Sequence, residues 1–98
     1  SFYDIAINKL EAILSRAKLR DFVDLYVAMP VIGCDLDQVR MRLADKFSGI
    51  RDDEEFMRHL AKVVDLTDYP TMLVPFDRQK MIDFYLAEAK RIGDRLFV

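Results

Sequence analysis

The sequence predicts an all-α fold, a compact bundle of about five helices with one extended connection before the last. Three observations lead there. Apolar residues recur at three- and four-residue spacing through most of the chain, the period that lines one face of a helix. Capping boxes at Asp35 with Gln38 and at Asp52 with Glu55 mark two helix starts. The 98 residues include three glycines and three prolines, too few for a turn-rich β fold or a disordered chain.

The elements follow in order. Phe2, Ala6, Leu10, Ile13, Leu14 and Ala17 form the apolar stripe of a first helix. A second runs from about Leu19 to Met29, with Phe22, Tyr26 and Met29 on one face, and is expected to end near Pro30, because proline disfavours the helical state of its predecessor. Gly33 breaks the chain. Asp35 then caps a third helix with Leu36, Val39, Leu43 and Phe47 as its buried stripe, stopping at Gly49. Asp52 opens a fourth, carrying Phe56, Leu60, Val63 and Val64. From Leu66 to Phe76 the period is lost and Pro70 and Pro75 bracket a short apolar run, which reads as the extended connection. Asp77 caps a long last helix with Met81, Tyr85, Ala89, Ile92 and Leu96 in register, and Gly93 weakens its final turn.

Composition narrows the function classes. Fifteen basic against seventeen acidic residues give a net charge of −2, so the overall balance carries no electrostatic footprint for nucleic acid or an anionic membrane surface. Cys34 is the single cysteine, which excludes an intrachain disulfide and a cysteine-based zinc site and suits a reducing compartment. No segment approaches the roughly 20 apolar residues of a membrane span, and no signal-peptide pattern opens the chain. A cytoplasmic location is the expectation. The whole chain, residues 1–98, is expected to form one domain, and because Ser1 leads directly into a helical pattern the native start is expected upstream.

The first two helices carry charges where the period asks for apolar groups. Lys9 has Ile5, Ala6, Ala12 and Ile13 at its helical neighbour positions, so any acidic partner must come from another element. A lysine at the edge of a stripe, its stem covering apolar surface and its ammonium in water, is the ordinary reading of such a position. The sharper one is a positioned cation held against an acid or a phosphate. Asp21 and Asp24 are three apart on the second helix and repel unless a cation lies between them; Arg20 and Arg16 are the candidates within the chain. A solvated Arg/Asp helix edge is the commoner meaning of that pattern.

The run Asp4-Ile5-Ala6-Ile7-Asn8-Lys9-Leu10-Glu11-Ala12, then Ser15-Arg16, then Lys18-Leu19-Arg20-Asp21-Phe22-Val23-Asp24-Leu25-Tyr26, resembles the signature of the AbiEii/AbiGii nucleotidyltransferase family, in which a Lys-Leu-x-Ala helix leads into Arg-Asp-(aromatic)-x-Asp-Leu. The likeness covers about a quarter of the chain closely. Family members resemble polymerase β-type transferases and act as toxins or phage-defence effectors that transfer a nucleotide to an acceptor, small RNAs among them. The resemblance implies that Lys9 meets the nucleotide's phosphates and that Asp24 acts at the acceptor hydroxyl, with Asp21 a second, weaker candidate orienting its helix beside Arg20. It also implies Mg and an NTP for the full-length protein, and an antitoxin protein as a partner.

The departure from the family is large. Its metal-holding Gly-Ser and Asp-x-Asp region has no counterpart in the chain. The one Asp-x-Asp, Asp35-Leu36-Asp37, coincides with a capping box and reads as a helix cap. His59 is solitary and reads as a surface or packed histidine, and there is no Gly-rich phosphate loop. No metal site and no cofactor are expected within the chain, which should therefore be the C-terminal lobe of a two-lobed transferase and inactive without its N-terminal lobe. The alternative is a non-catalytic helical module for protein interaction or homodimerisation.

Overall fold

The computed structural model describes residues 2–46, 52–67 and 76–97. They form five α-helices, α1 (Phe2–Arg16), α2 (Leu19–Ile32), α3 (Leu36–Lys46), α4 (Asp53–Ala61) and α5 (Arg78–Asp94), with 3-10 turns at Lys62–Asp65 and Arg95–Phe97. No strand occurs among the described residues. Phe47, Gly49, Pro70 and Pro75, which the sequence places at a helix end and in the extended connection, lie outside them. At the edges of that connection Leu66 has extended backbone (φ −89°, ψ 135°), and Leu66 and Phe76 both pack against the core.

One apolar core holds the bundle. Ala6, Leu10, Ile13 and Leu14 of α1 are buried together with Leu19, Phe22, Val23, Leu25 and Met29 of α2, Leu36 and Val39 of α3, Phe56 and Leu60 of α4, and Met81, Tyr85, Ala89 and Ile92 of α5. Helix α1 packs on α2, α3 and α4, and α4 pairs with α5. The radius of gyration, 12.9 Å, is that of a well-packed chain of this length, about 13 Å.

The predicted caps form. The Gln38 N–H donates to Asp35 Oδ1 at 2.8 Å and the Asp35 N–H to Gln38 Oε1 at 2.9 Å, both arms of a capping box. Asp52 accepts from the Glu55 N–H at 2.8 Å and Asp77 from the Lys80 N–H at 3.0 Å. Each cap satisfies a helix-terminal N–H that otherwise has no partner in its helix.

Several local expectations are corrected. Helix α2 does not end at Pro30 but continues to Ile32, with Pro30 inside its last turn. Gly33, at φ 83°, supplies a left-handed cap whose N–H donates to the Met29 carbonyl at 2.8 Å; Cys34 N–H reaches the same oxygen at 3.1 Å. With Met29 buried and its carbonyl doubly bonded, packing and cap together outweigh the proline. Ala17 lies beyond α1, partly buried, as the one non-glycine residue with positive φ (48°) among the described residues, and this left-handed step makes the short turn into α2. Val64 is exposed, because a 3-10 turn replaces the end of the fourth helical stripe and its tighter pitch turns the residue away from the core. Leu96, in the second such turn, is also exposed. Gly93 does not interrupt α5. A Cβ there would lie 2.6 Å from Met57 Sδ, so the glycine leaves room for the Met57 side chain of α4 against α5.

Ion pairs join the remaining helices. Arg91 of α5 grips both carboxylate oxygens of Asp37 on α3, at 3.0 and 3.1 Å, and Arg40 of α3 pairs with Asp53 of α4 at 2.7 Å while stacking 4.1 Å above the Phe56 ring.

Candidate functional site

The residues singled out in the sequence converge on the α1–α2 hairpin. Lys9, midway along α1, sends its ammonium across to α2, where Nζ lies 2.8 Å from Asp24 Oδ2 and 3.8 Å from Asp21 Oδ1. Arg16, the last residue of α1, reaches over the turn to Asp21, Nε to Oδ2 at 3.0 Å and Nη2 to Oδ1 at 3.3 Å. The left-handed Ala17 makes this reach short, bringing the end of α1 beside the first turn of α2. Two cations and two carboxylates thus form one chain of contacts: Arg16, Asp21, Lys9, Asp24.

Their environments differ sharply. Asp21 is fully buried, the one buried charged residue among those described, whereas the side chains of Asp24, Arg16 and Lys9 are 47, 47 and 31% exposed. A carboxylate out of water is stable only when its oxygens are satisfied, and the fork of Arg16 supplies that in the two-point geometry a guanidinium allows. Its place in the first turn of α2 adds the favourable end of the helix dipole. The hydrogen bond and charge of Asp21 in turn raise the Arg16 pKa above its ordinary value.

Behind this face, Tyr85 of α5 is fully buried and donates its hydroxyl to the Phe22 carbonyl of α2 at 2.6 Å, with the Phe22 ring edge-on at 5.0 Å. Burial, chiefly, holds its phenol well above the usual tyrosine value, and the neighbouring Tyr26 and Asp24 push the same way. Tyr85 therefore pins the stretch of α2 between Asp21 and Asp24 to the core.

The structure sorts the ion-pair partners that the sequence left open. Of the two arginines that the sequence offers, Arg16 holds Asp21, while Arg20 is exposed and Lys9 pairs with Asp24. Asp21 lies at the centre of the cluster, with its ion pair running to Arg16 rather than to Arg20. Sequence reasoning named both arginines but could not choose between them, because Arg16 and Asp21 are five apart across a helix break, outside the i, i+3 and i, i+4 pairs that a helix pattern reveals. The bond from the Tyr85 hydroxyl had only a general signal, that a buried tyrosine needs a partner for its O–H.

Other groups have structural duties. Asp35 caps α3 and Asp37 pairs with Arg91, so the Asp-x-Asp is spent on the fold. His59 donates its Nδ1–H to the Glu55 carbonyl at 2.8 Å, one turn back in α4. Burial raises the Cys34 thiol pKa, which leaves it a weaker nucleophile than an exposed thiol. No group of three or more potential metal-ligating side chains occurs among the described residues, and no described helix is long and apolar enough to cross a membrane.

Compared with protein-family models, curated proteins and solved structures, the chain matches none of them.

Proposed function

We propose that this chain is the helical C-terminal lobe of a nucleotidyltransferase of the AbiEii type, contributing Lys9 and Asp24 to a site completed by an N-terminal lobe. One observation carries the reading: the two residues that the family resemblance marks out, on different helices, meet at 2.8 Å on an accessible face. The resemblance puts the Gly-Ser and Asp-x-Asp residues that would hold Mg in the N-terminal lobe, where the metal would supply positive charge to the triphosphate.

What this chain contributes is charge and position. Lys9 offers a compact cation with three N–H donors to a phosphate oxygen of the NTP. Asp24, as a carboxylate beside the acceptor hydroxyl, orients that O–H and accepts its proton as the oxygen attacks the α-phosphorus of the NTP, whose bond to the β-phosphate oxygen breaks to release pyrophosphate. Asp21 and Arg16 hold the two in place from the buried side. An RNA acceptor, a toxin or phage-defence role held in check by an antitoxin, and cytoplasmic action all belong to this reading.

The test is nucleotide transfer from labelled NTPs to RNA by the protein that includes the upstream coding segment, which should contain Gly-Ser followed by Asp-x-Asp. Lys9→Ala and Asp24→Asn should each lower transfer by about two orders of magnitude or more, the range of a lost catalytic group. The 98-residue chain alone should be inactive. Full transfer by the Lys9→Ala protein would refute the reading.

A second reading, a helical interaction or dimerisation module, is favoured by a different observation. Val31 and Met41 are 82 and 71% exposed, and Tyr26, Val27, Met29, Pro30, Cys34 and Phe84 line an apolar groove of about 380 Å³. Light scattering over a concentration series separates the two: concentration-dependent dimers abolished by Val31→Glu would support the module.

A further inference from the structure

Lys9 has two carboxylate partners of opposite character. Asp21 is fully buried and clamped by Arg16 at two points, so it cannot leave. Asp24 is half-exposed, and the ammonium of Lys9 makes its one recorded ion pair among the described residues. The charges of Lys9, Arg16, Asp21 and Asp24 cancel. Without the Asp24 carboxylate the other three carry a net positive charge at an accessible lysine. An ion pair this exposed is weak, and a phosphate, with more charge and more acceptor oxygens than a carboxylate, competes well for an ammonium.

We propose that the Lys9–Asp24 ion pair is an exchange latch: the phosphate chain of a nucleotide displaces Asp24 from Lys9, and the same event frees the Asp24 carboxylate for the acceptor. Asp21 and Arg16 stay in place and keep the ammonium positioned throughout. The role of the freed carboxylate rests on the transferase reading above; the exchange itself does not. In the resting state the latch keeps Asp24 occupied, so the acceptor-side group becomes available only once the phosphates have arrived. No bond is made or broken in the exchange.

The test uses the 98-residue chain in low-salt buffer, titrated with inorganic pyrophosphate and followed by NMR at the lysine Nζ and aspartate Cγ atoms. Lys9 Nζ and Asp24 Cγ should shift together along one saturable curve while Asp21 Cγ and the Arg16 Nε–H hardly move. Asp24→Asn, which removes the internal competitor, should tighten pyrophosphate binding by about threefold, the scale of one exposed ion pair. Lys9→Gln should abolish saturable binding, with circular dichroism showing that each variant is folded. ATP, whose triphosphate contains the same P–O–P linkage, should move the same two atoms. Unchanged or weaker binding by Asp24→Asn, an Asp24 signal that stays put at saturation, or no saturable binding by the parent chain would each overturn the latch. Exchange without transfer by the longer protein would sink the transferase reading and leave the latch standing. Lys9-dependent transfer with Asp24 unmoved by pyrophosphate would sink the latch alone.

Discussion

In the Arg16–Asp21 pair the more exposed residue should matter more for stability. Replacing Asp21 by Asn removes a charge-assisted, two-point contact worth about 1.5–3 kcal/mol, but it also removes the penalty of burying a carboxylate. The cations it leaves behind are not trapped, since Arg16 and Lys9 are 47 and 31% exposed and can turn to water. The net loss should be about 1–2 kcal/mol, or roughly 5–15 °C in Tm for a domain of this size. Arg16→Ala does the reverse. It leaves the fully buried Asp21 with Lys9 at 3.8 Å as its remaining cation, a contact too long for a hydrogen bond, and stranding a buried charge is the costlier error. Urea unfolding followed by circular dichroism should therefore rank Arg16→Ala below Asp21→Asn. The double variant should regain part of the Arg16→Ala loss, because the stranded charge is gone. Additive effects, or an Arg16→Ala protein more stable than Asp21→Asn, would refute the account of the cluster as a buried anion held by accessible cations.

Tyr85→Phe should cost about 1 kcal/mol near neutral pH through the lost bond to the Phe22 carbonyl. Because the folded chain holds that phenol above the usual value of 10.0, it keeps a proton the unfolded chain gives up, so its contribution is present below about pH 10 and declines as pH rises above it. Chemical unfolding between about pH 9 and 11 should show that decline in the parent chain and a shallower one in Tyr85→Phe. Gly33→Ala should destabilise by about 1–2 kcal/mol through backbone strain alone, as φ is 83° and nothing lies within 4 Å of an added Cβ. Ala17→Gly, which relieves the same kind of strain at φ 48°, should stabilise by about 0.5 kcal/mol once the greater freedom of the unfolded chain is subtracted; thermal melts of the two variants should move in opposite directions. Asp35→Ala should cost about 1 kcal/mol, read in the same melts, by removing the cap acceptor for the Gln38 N–H.

The sequence by itself determined what depends on neighbours within about four residues along the chain. The helical stripes, the caps at Asp35, Asp52 and Asp77, and the lack of any acidic partner for Lys9 on its own helix were all legible, because helix period and capping are local physics. The same locality misled at Pro30, where a sound rule about proline lost to the burial of Met29 and the left-handed cap at Gly33. Tertiary structure alone decided the rest. Which carboxylate is buried, which arginine holds it, and that Lys9 meets Asp24 follow from the turn angle at Ala17 and from how α1 lies on α2. That angle is set by the packing of the whole core, with Tyr85 of α5 fastening α2 at Phe22, and no spacing within the α1–α2 motif encodes it.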